Sequence, residues 1–263
     1  MSFQPVLPLT GYAGWSFLKR TMATQQATMQ AASAQKRDED YFRARIGTIQ
    51  TAKELVADRR LLNVALTAFG LQDDITYKAF LEKILDGGTL SGEGLANKLS
   101  DKRYFEFSKA FGFGDFAVPR NQLSDFPDKI LALYRRQGFE TAVGAQNDSY
   151  RLALNAEHAL ADIAAGSGSA TTKWFSILGS APLREVIQGA LGLPSSFASV
   201  DLDQQLKVVK QRAQAVFGSS DPATFANPDQ VDKLVRSYLI RTEIAGTSQG
   251  RSPASIALQI LGA

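Results

Sequence analysis

Cysteine is absent from the 263 residues, which removes disulfides, thiolate metal sites and cysteine nucleophiles. The absence is neutral about redox compartment. Histidine occurs once, at His158, so a multi-histidine metal site or a two-histidine relay cannot be built. No apolar run approaches the roughly 18 residues that span a bilayer. No block of one charge stands out either. The net charge is +3, and basic and acidic residues nearly balance within 1–165 and within 166–263. The isoelectric point near 9.0 therefore reflects a slight imbalance, and neither nucleic acid nor an anionic membrane meets an electrostatic footprint. The opening M-S-F-Q-P-V-L-P-L-T lacks a basic stretch followed by an apolar one, so it does not read as a cleavable secretory signal. Strict apolar–polar alternation, the mark of a half-buried strand, is missing throughout.

What is present is the material of a globular protein. Hydrophobic residues make up 44% and charged residues 21%. A chain of this length buries about 70–75% of the surface it exposes unfolded, in one large domain or two small ones.

The clearest stretch is Asp58 to Leu71, D-R-R-L-L-N-V-A-L-T-A-F-G-L. Leu61, Leu62, Ala65, Leu66 and Phe69 fall on one helix face. Gly70 sits where a C-cap belongs, and Leu71 is the apolar residue that folds back. Pro182 to Leu193 repeats the pattern, setting Leu61 against Leu183, Val64 against Val186, Ala68 against Ala190, and Gly70-Leu71 against Gly192-Leu193. Asp101 to Phe113 is a third, shorter echo. The spacing reads as a duplicated helix-turn-helix unit and not as a solenoid.

Around these lie further helices. Residues 1–14, with Pro5, Pro8, Gly11 and Gly14, read as extended or disordered, and Trp15, Phe17 and Leu18 as the anchor of the first helix. Lys19–Ala34 reads as an exposed helix, or one that pairs with a partner. Lys36–Asp40 reads as a solvated turn or helix face. Thr51 and Glu54 stand at capping-box spacing. Asp73-Asp74 reads as the N-cap pair of a helix ending at Gly87-Gly88. Asn121–Gln137 reads as a helix starting at Pro127, Gly138–Ala165 as one long helix, Asp201–Phe217 and Pro228–Arg241 as two more, and Ser252–Leu261 as a short last one. The Ser/Gly stretch 165–172 is the natural linker or hinge. The expectation is an all-α, multi-helix fold with two pseudo-repeated lobes, 1–165 and 173–263.

The candidate sites weigh toward structure. His158 sits among Ala and Leu on an expected helix and reads as an ordinary histidine. Gly92-Glu93-Gly94 and Gly166-Ser167-Gly168 follow no strand and lack the Gly-Lys-Ser/Thr ending of a phosphate loop. Asp58-Arg59-Arg60 reads as helix-start electrostatics. The aromatic run Tyr104, Phe105, Phe107, Phe111, Phe113 and Phe116 reads as core, with a groove for a partner helix as the alternative. No catalytic, cofactor-binding or metal-ligating residue is assigned, and no cofactor is implied.

Three pieces carry a family resemblance: Gly11–Thr21 (G-Y-A-G-W-S-F-L-K-R-T), Tyr41-Phe42 with Ile46, and Asp58–Leu71 with its echo at 101–113. Together they resemble the bacterial domain of unknown function 1217 family, over roughly 1–260. Members of that family are often encoded among flagellar genes, and the family has no established catalytic residues to carry over. The resemblance implies a non-enzymatic, flagellum-associated structural or assembly protein whose partners are other flagellar or assembly proteins. It implies a location in the cytoplasm, or at the flagellum after export without a cleaved signal. Axial flagellar components pair through terminal helices, and Lys19–Ala34 and Ile256–Leu261 are the segments placed for that. The alternative is a cytoplasmic regulatory or adaptor module, akin to a secretion chaperone or binding a transcript. No membrane insertion is expected, and the sequence sets no oligomeric state.

Overall fold

The computed structural model describes residues 3–249, and the helix expected over Ser252–Leu261, with its pairing segment Ile256–Leu261, lies outside them. Among the described residues every regular element is helical, as the periodicity requires. In chain order these are α1 (Gly11–Ala31), α2 (Ser33–Arg45), α3 (Ala52–Ala57), α4 (Arg59–Ala68), α5 (Lys78–Asp86), α6 (Leu95–Lys98) and α7 (Arg103–Phe111). Next come α8 (Phe126–Gly144), α9 (Asp148–Ala165), α10 (Ala170–Gly179), α11 (Ala181–Leu191), α12 (Leu202–Phe217) and α13 (Pro228–Gln249). Short 3₁₀ turns lie at 46–48, 72–74, 120–122, 195–199 and 222–226.

The chain forms two compact units. The first takes Thr21–Ala142 together with the residues up to Pro5, and the second takes Val6–Arg20 and the chain from Val143 onward. The units thus part at 142/143, whereas the sequence points to 165–172. The reason is that α9 packs on α11, α13 and the 222–226 turn, and so belongs with the later helices. The Ser/Gly stretch is the connection between α9 and α10 inside the second unit. It is tied at both ends: Gly166 N–H donates to the Asp162 carbonyl at 3.1 Å, Lys173 Nζ to the Ala164 carbonyl at 2.7 Å, and Thr172 N–H to Ser169 Oγ at 3.2 Å.

In the first unit, the helix starts are set by their side chains. Thr51 Oγ1 accepts from Glu54 N–H at 3.2 Å, and the Glu54 carboxylate reaches back to Gln50 N–H at 2.8 Å. Asp58 ends α3 and begins α4, accepting from Arg60 and Leu61 N–H at 3.0 and 3.1 Å and from the Tyr41 hydroxyl at 2.7 Å. Burial pushes the Asp58 carboxyl up. Its hydrogen bonds from Leu61, Tyr41 and Arg60 outweigh that and hold it below the ordinary value. At the other end Gly70 takes φ +68°, and Leu71 N–H donates to the Leu66 carbonyl at 2.9 Å, closing the turn. The apolar faces of α3, α4, α5 and α7 meet in one core with Phe42, Ile46 and Phe126. Phe107, Phe111 and Phe126 stack edge-on within it at 5.0–5.3 Å. Buried Asn121 clasps the 46–48 turn, donating to the Ile46 and Ile49 carbonyls at 2.7 Å each.

One expectation for this unit holds in one of its two forms and one needs correction. Of the turn or helix face expected at Lys36–Asp40, the helix face is found. It is the middle of α2, where Asp38 pairs with Arg60 at 2.7 Å and buried Glu39 pairs with Arg135. Asp73-Asp74 does not cap a helix. It forms the 72–74 turn, α5 starts at Lys78, and Asp74 accepts from the Tyr104 hydroxyl at 2.7 Å. That bond, after burial, raises the Tyr104 hydroxyl to about 12.

In the second unit, residues 6–10 run without regular structure, within the expectation for 1–14, but residues 11–14 are already helical. Trp15 and Leu18 are fully buried, and α1 already begins at Gly11. The Tyr150 hydroxyl donates to the Leu9 and Gly11 carbonyls at 3.2 and 2.7 Å, and its ring packs on Trp15. Gly14 lies so close to the Leu9 carbonyl and the Tyr150 hydroxyl that any side chain would collide with them. Lys19 pairs with Glu157 at 2.6 Å. The long helix expected over 138–165 is two helices. Asn147 breaks it by accepting from Tyr150 N–H at 3.1 Å as the N-cap of α9. Trp174, Phe217 and Phe225 form the aromatic centre, with Trp174 Nε1 donating to the Ser220 carbonyl at 2.8 Å.

Candidate protein-contact site

The connection from α5 to α7 is where the first unit spends its glycines. Asp86 ends α5, Gly87 and Gly88 turn the chain out, and residues 89–94 double back into α6. A second loop, 112–118, leaves α7 and lies against the first. Gly88 has φ +61°, and a side chain there would strike Asp115 and the Gly114 backbone. Gly114 in turn is pressed against the Asp86 carbonyl and Gly88, and its N–H donates to the Leu85 carbonyl at 3.1 Å.

Asp115 locks the two loops together. One carboxylate oxygen accepts from Thr89 N–H at 2.7 Å and Leu90 N–H at 2.9 Å, and the other from Thr89 Oγ1 at 2.8 Å. Burial pushes this carboxyl up, but the bonds from Leu90 and Thr89, with the Arg120 charge nearby, hold it below its ordinary value. Asn97 Nδ2 adds bonds to the Thr89 and Ser91 carbonyls at 3.2 and 2.9 Å.

This bracing holds apolar side chains outward. Leu90 is 71% exposed, Val118 66% and Phe116 39%. Arg120 lies over the Phe116 ring at 4.7 Å and donates to the Lys109 carbonyl at 3.3 Å. Two loops fixed to each other by polar bonds thus carry large apolar side chains into solvent.

The residues singled out from the sequence fall elsewhere. In the aromatic run, Phe107 and Phe111 are buried, Tyr104 and Phe113 pack against the core, and Phe116 faces out. His158 lies half-buried on α9. Gly92 and Gly94 belong to the braced loop, and Gly166 and Gly168 to the α9–α10 connection. Asp58 caps α4, and Arg60 lies over the Tyr41 ring at 4.6 Å. An open depression beside it is lined by Arg45, Thr48, Ile49, Glu54, Ala57 and Asp58, and both of its carboxylates serve helix starts. Among the described residues, no group of three or more acidic or histidine side chains is placed to hold a metal ion. No described helix is long and apolar enough to cross a membrane. In the sequence Leu90 stands alone among Gly, Thr and Ser and Val118 sits in F-A-V-P, with nothing to mark either as exposed.

A family model described as a protein of unknown function, DUF1217, matches residues 68–231. The chain belongs to the DUF1217 family. The matched stretch runs from the end of α4 into α13 and includes both braced loops. Among solved structures, the chain is similar to the X-ray crystal structure of protein AGR_C_984 from Agrobacterium tumefaciens. The two are 25% identical with a TM-score of 0.73, over 92% of this chain and 99% of that one. No curated protein matches the chain.

Proposed function

We propose that this DUF1217 protein is a non-enzymatic, flagellum-associated structural or assembly protein that acts through protein–protein contacts of its helical surfaces. The observation that carries the contact half is that Leu90, Phe116 and Val118 are exposed on two loops that Asp115 ties together. Polar groups of the kind that do chemistry are committed here to holding the fold. Asp58 starts a helix, Glu39 pairs with Arg135, and Asp115 ties two loops. The flagellar half rests on the resemblance of Gly11–Thr21, Tyr41–Ile46 and Asp58–Leu71 to a family often encoded among flagellar genes.

The test is a clean gene deletion with complementation, scored by swimming and by electron microscopy of the cell surface. Missing or shortened flagella, restored by the gene, are the expected result. Normal swimming with intact flagella overturns the flagellar half. Fractionation then decides location: an assembly or axial component appears in basal bodies or culture fluid, and an adaptor stays in the cytoplasm.

A further inference from the structure

We draw no further inference here: the strongest candidate, the surface patch on α13 where Ile240 and Ile244 stand one turn apart with 38% and 59% of their surface exposed, carries nothing because nothing in the structure shows what covers it.

Discussion

The helices from α2 to α8 and those from α9 to α13 can be set side by side, and their middles differ. The first stretch begins with α2 and the second with α9. Each continues with two helices sharing a single joining residue, Asp58 between α3 and α4, and Ser180 between α10 and α11. Each second helix ends in a left-handed glycine followed by leucine, Gly70-Leu71 and Gly192-Leu193, and then a 3₁₀ turn. Each later reaches a Phe-Gly end, Phe111-Gly112 and Phe217-Gly218, a turn led by proline, and a closing long helix, α8 or α13. The difference lies between those points. The second unit runs α12 without a break, and the first divides that stretch into α5, the braced loop with α6, and α7. The divided stretch gives Leu81, Leu85, Phe107 and Phe111 to the core of the first unit and carries exposed Leu90 on the loop between them, while exposed Phe116 and Val118 follow in the loop after α7. Where two units agree, the sequence answers to packing. Where they differ, a loop braced by Asp115 has been inserted between two core helices.

The comparison can be broken at graded strength. Leu61 and Leu183 occupy matching, fully buried positions. Leu61→Ala and Leu183→Ala should each lower unfolding free energy by about 2–5 kcal/mol, read by urea titration. A large loss at one and none at the other would show that the helices only look alike.

Next come the glycines. Gly70 has φ +68° and Gly192 φ +65°. Alanine at either should cost about 1–2 kcal/mol, because its Cβ crowds the following carbonyl in that conformation. The two costs should agree, since the nearest neighbours, Gln137 Nε2 and Arg241 Nη1, are ends of flexible side chains.

The joining residues should separate the units. Asp58→Ala should cost about 0.5–2 kcal/mol, because the carboxylate accepts two N–H bonds at the start of α4. Ser180→Ala should cost far less, because the Ser180 side chain makes no capping bond. The Asp58 effect should also depend on pH. Its folded carboxyl titrates below the unfolded one, so the stabilisation is present above the ordinary carboxylate range and is lost as pH falls through the lower folded value. Thermal melts of parent and Asp58→Ala should therefore converge in acid, and an unchanged gap would contradict the assignment.

The smallest effect is expected at the loop itself. Leu90→Ser and Val118→Ser should change stability by less than about 0.5 kcal/mol, because both side chains are exposed. A larger loss would make the loop part of the core.

The legible and illegible parts of the fold divide by the range of the interactions. Thr51, Asp58 and Gly70 act within a few residues, and their roles were readable from spacing alone. So was the all-α class, which periodicity determines. The docking of residues 6–20 was not readable, because it depends on Tyr150 reaching the Leu9 and Gly11 carbonyls from about 140 residues away in the chain. The helix break at Asn147 lay hidden in a stretch whose apolar spacing continues across it. Lys36–Asp40 looked solvated because its partners, Arg60 and Arg135, come from distant helices. The contact surface was half legible: Phe116 stood in the aromatic run, but Leu90 and Val118 gave no sign of which way they point.

We propose that the two tied loops of the first unit, 87–94 and 112–118, are its working surface. The most direct test is to complement a deletion strain with the gene carrying Leu90→Ser and Val118→Ser, with protein level checked by immunoblot and flagella scored by electron microscopy. The account predicts a folded, normally abundant protein that fails to restore flagella. Full restoration by that variant would contradict it.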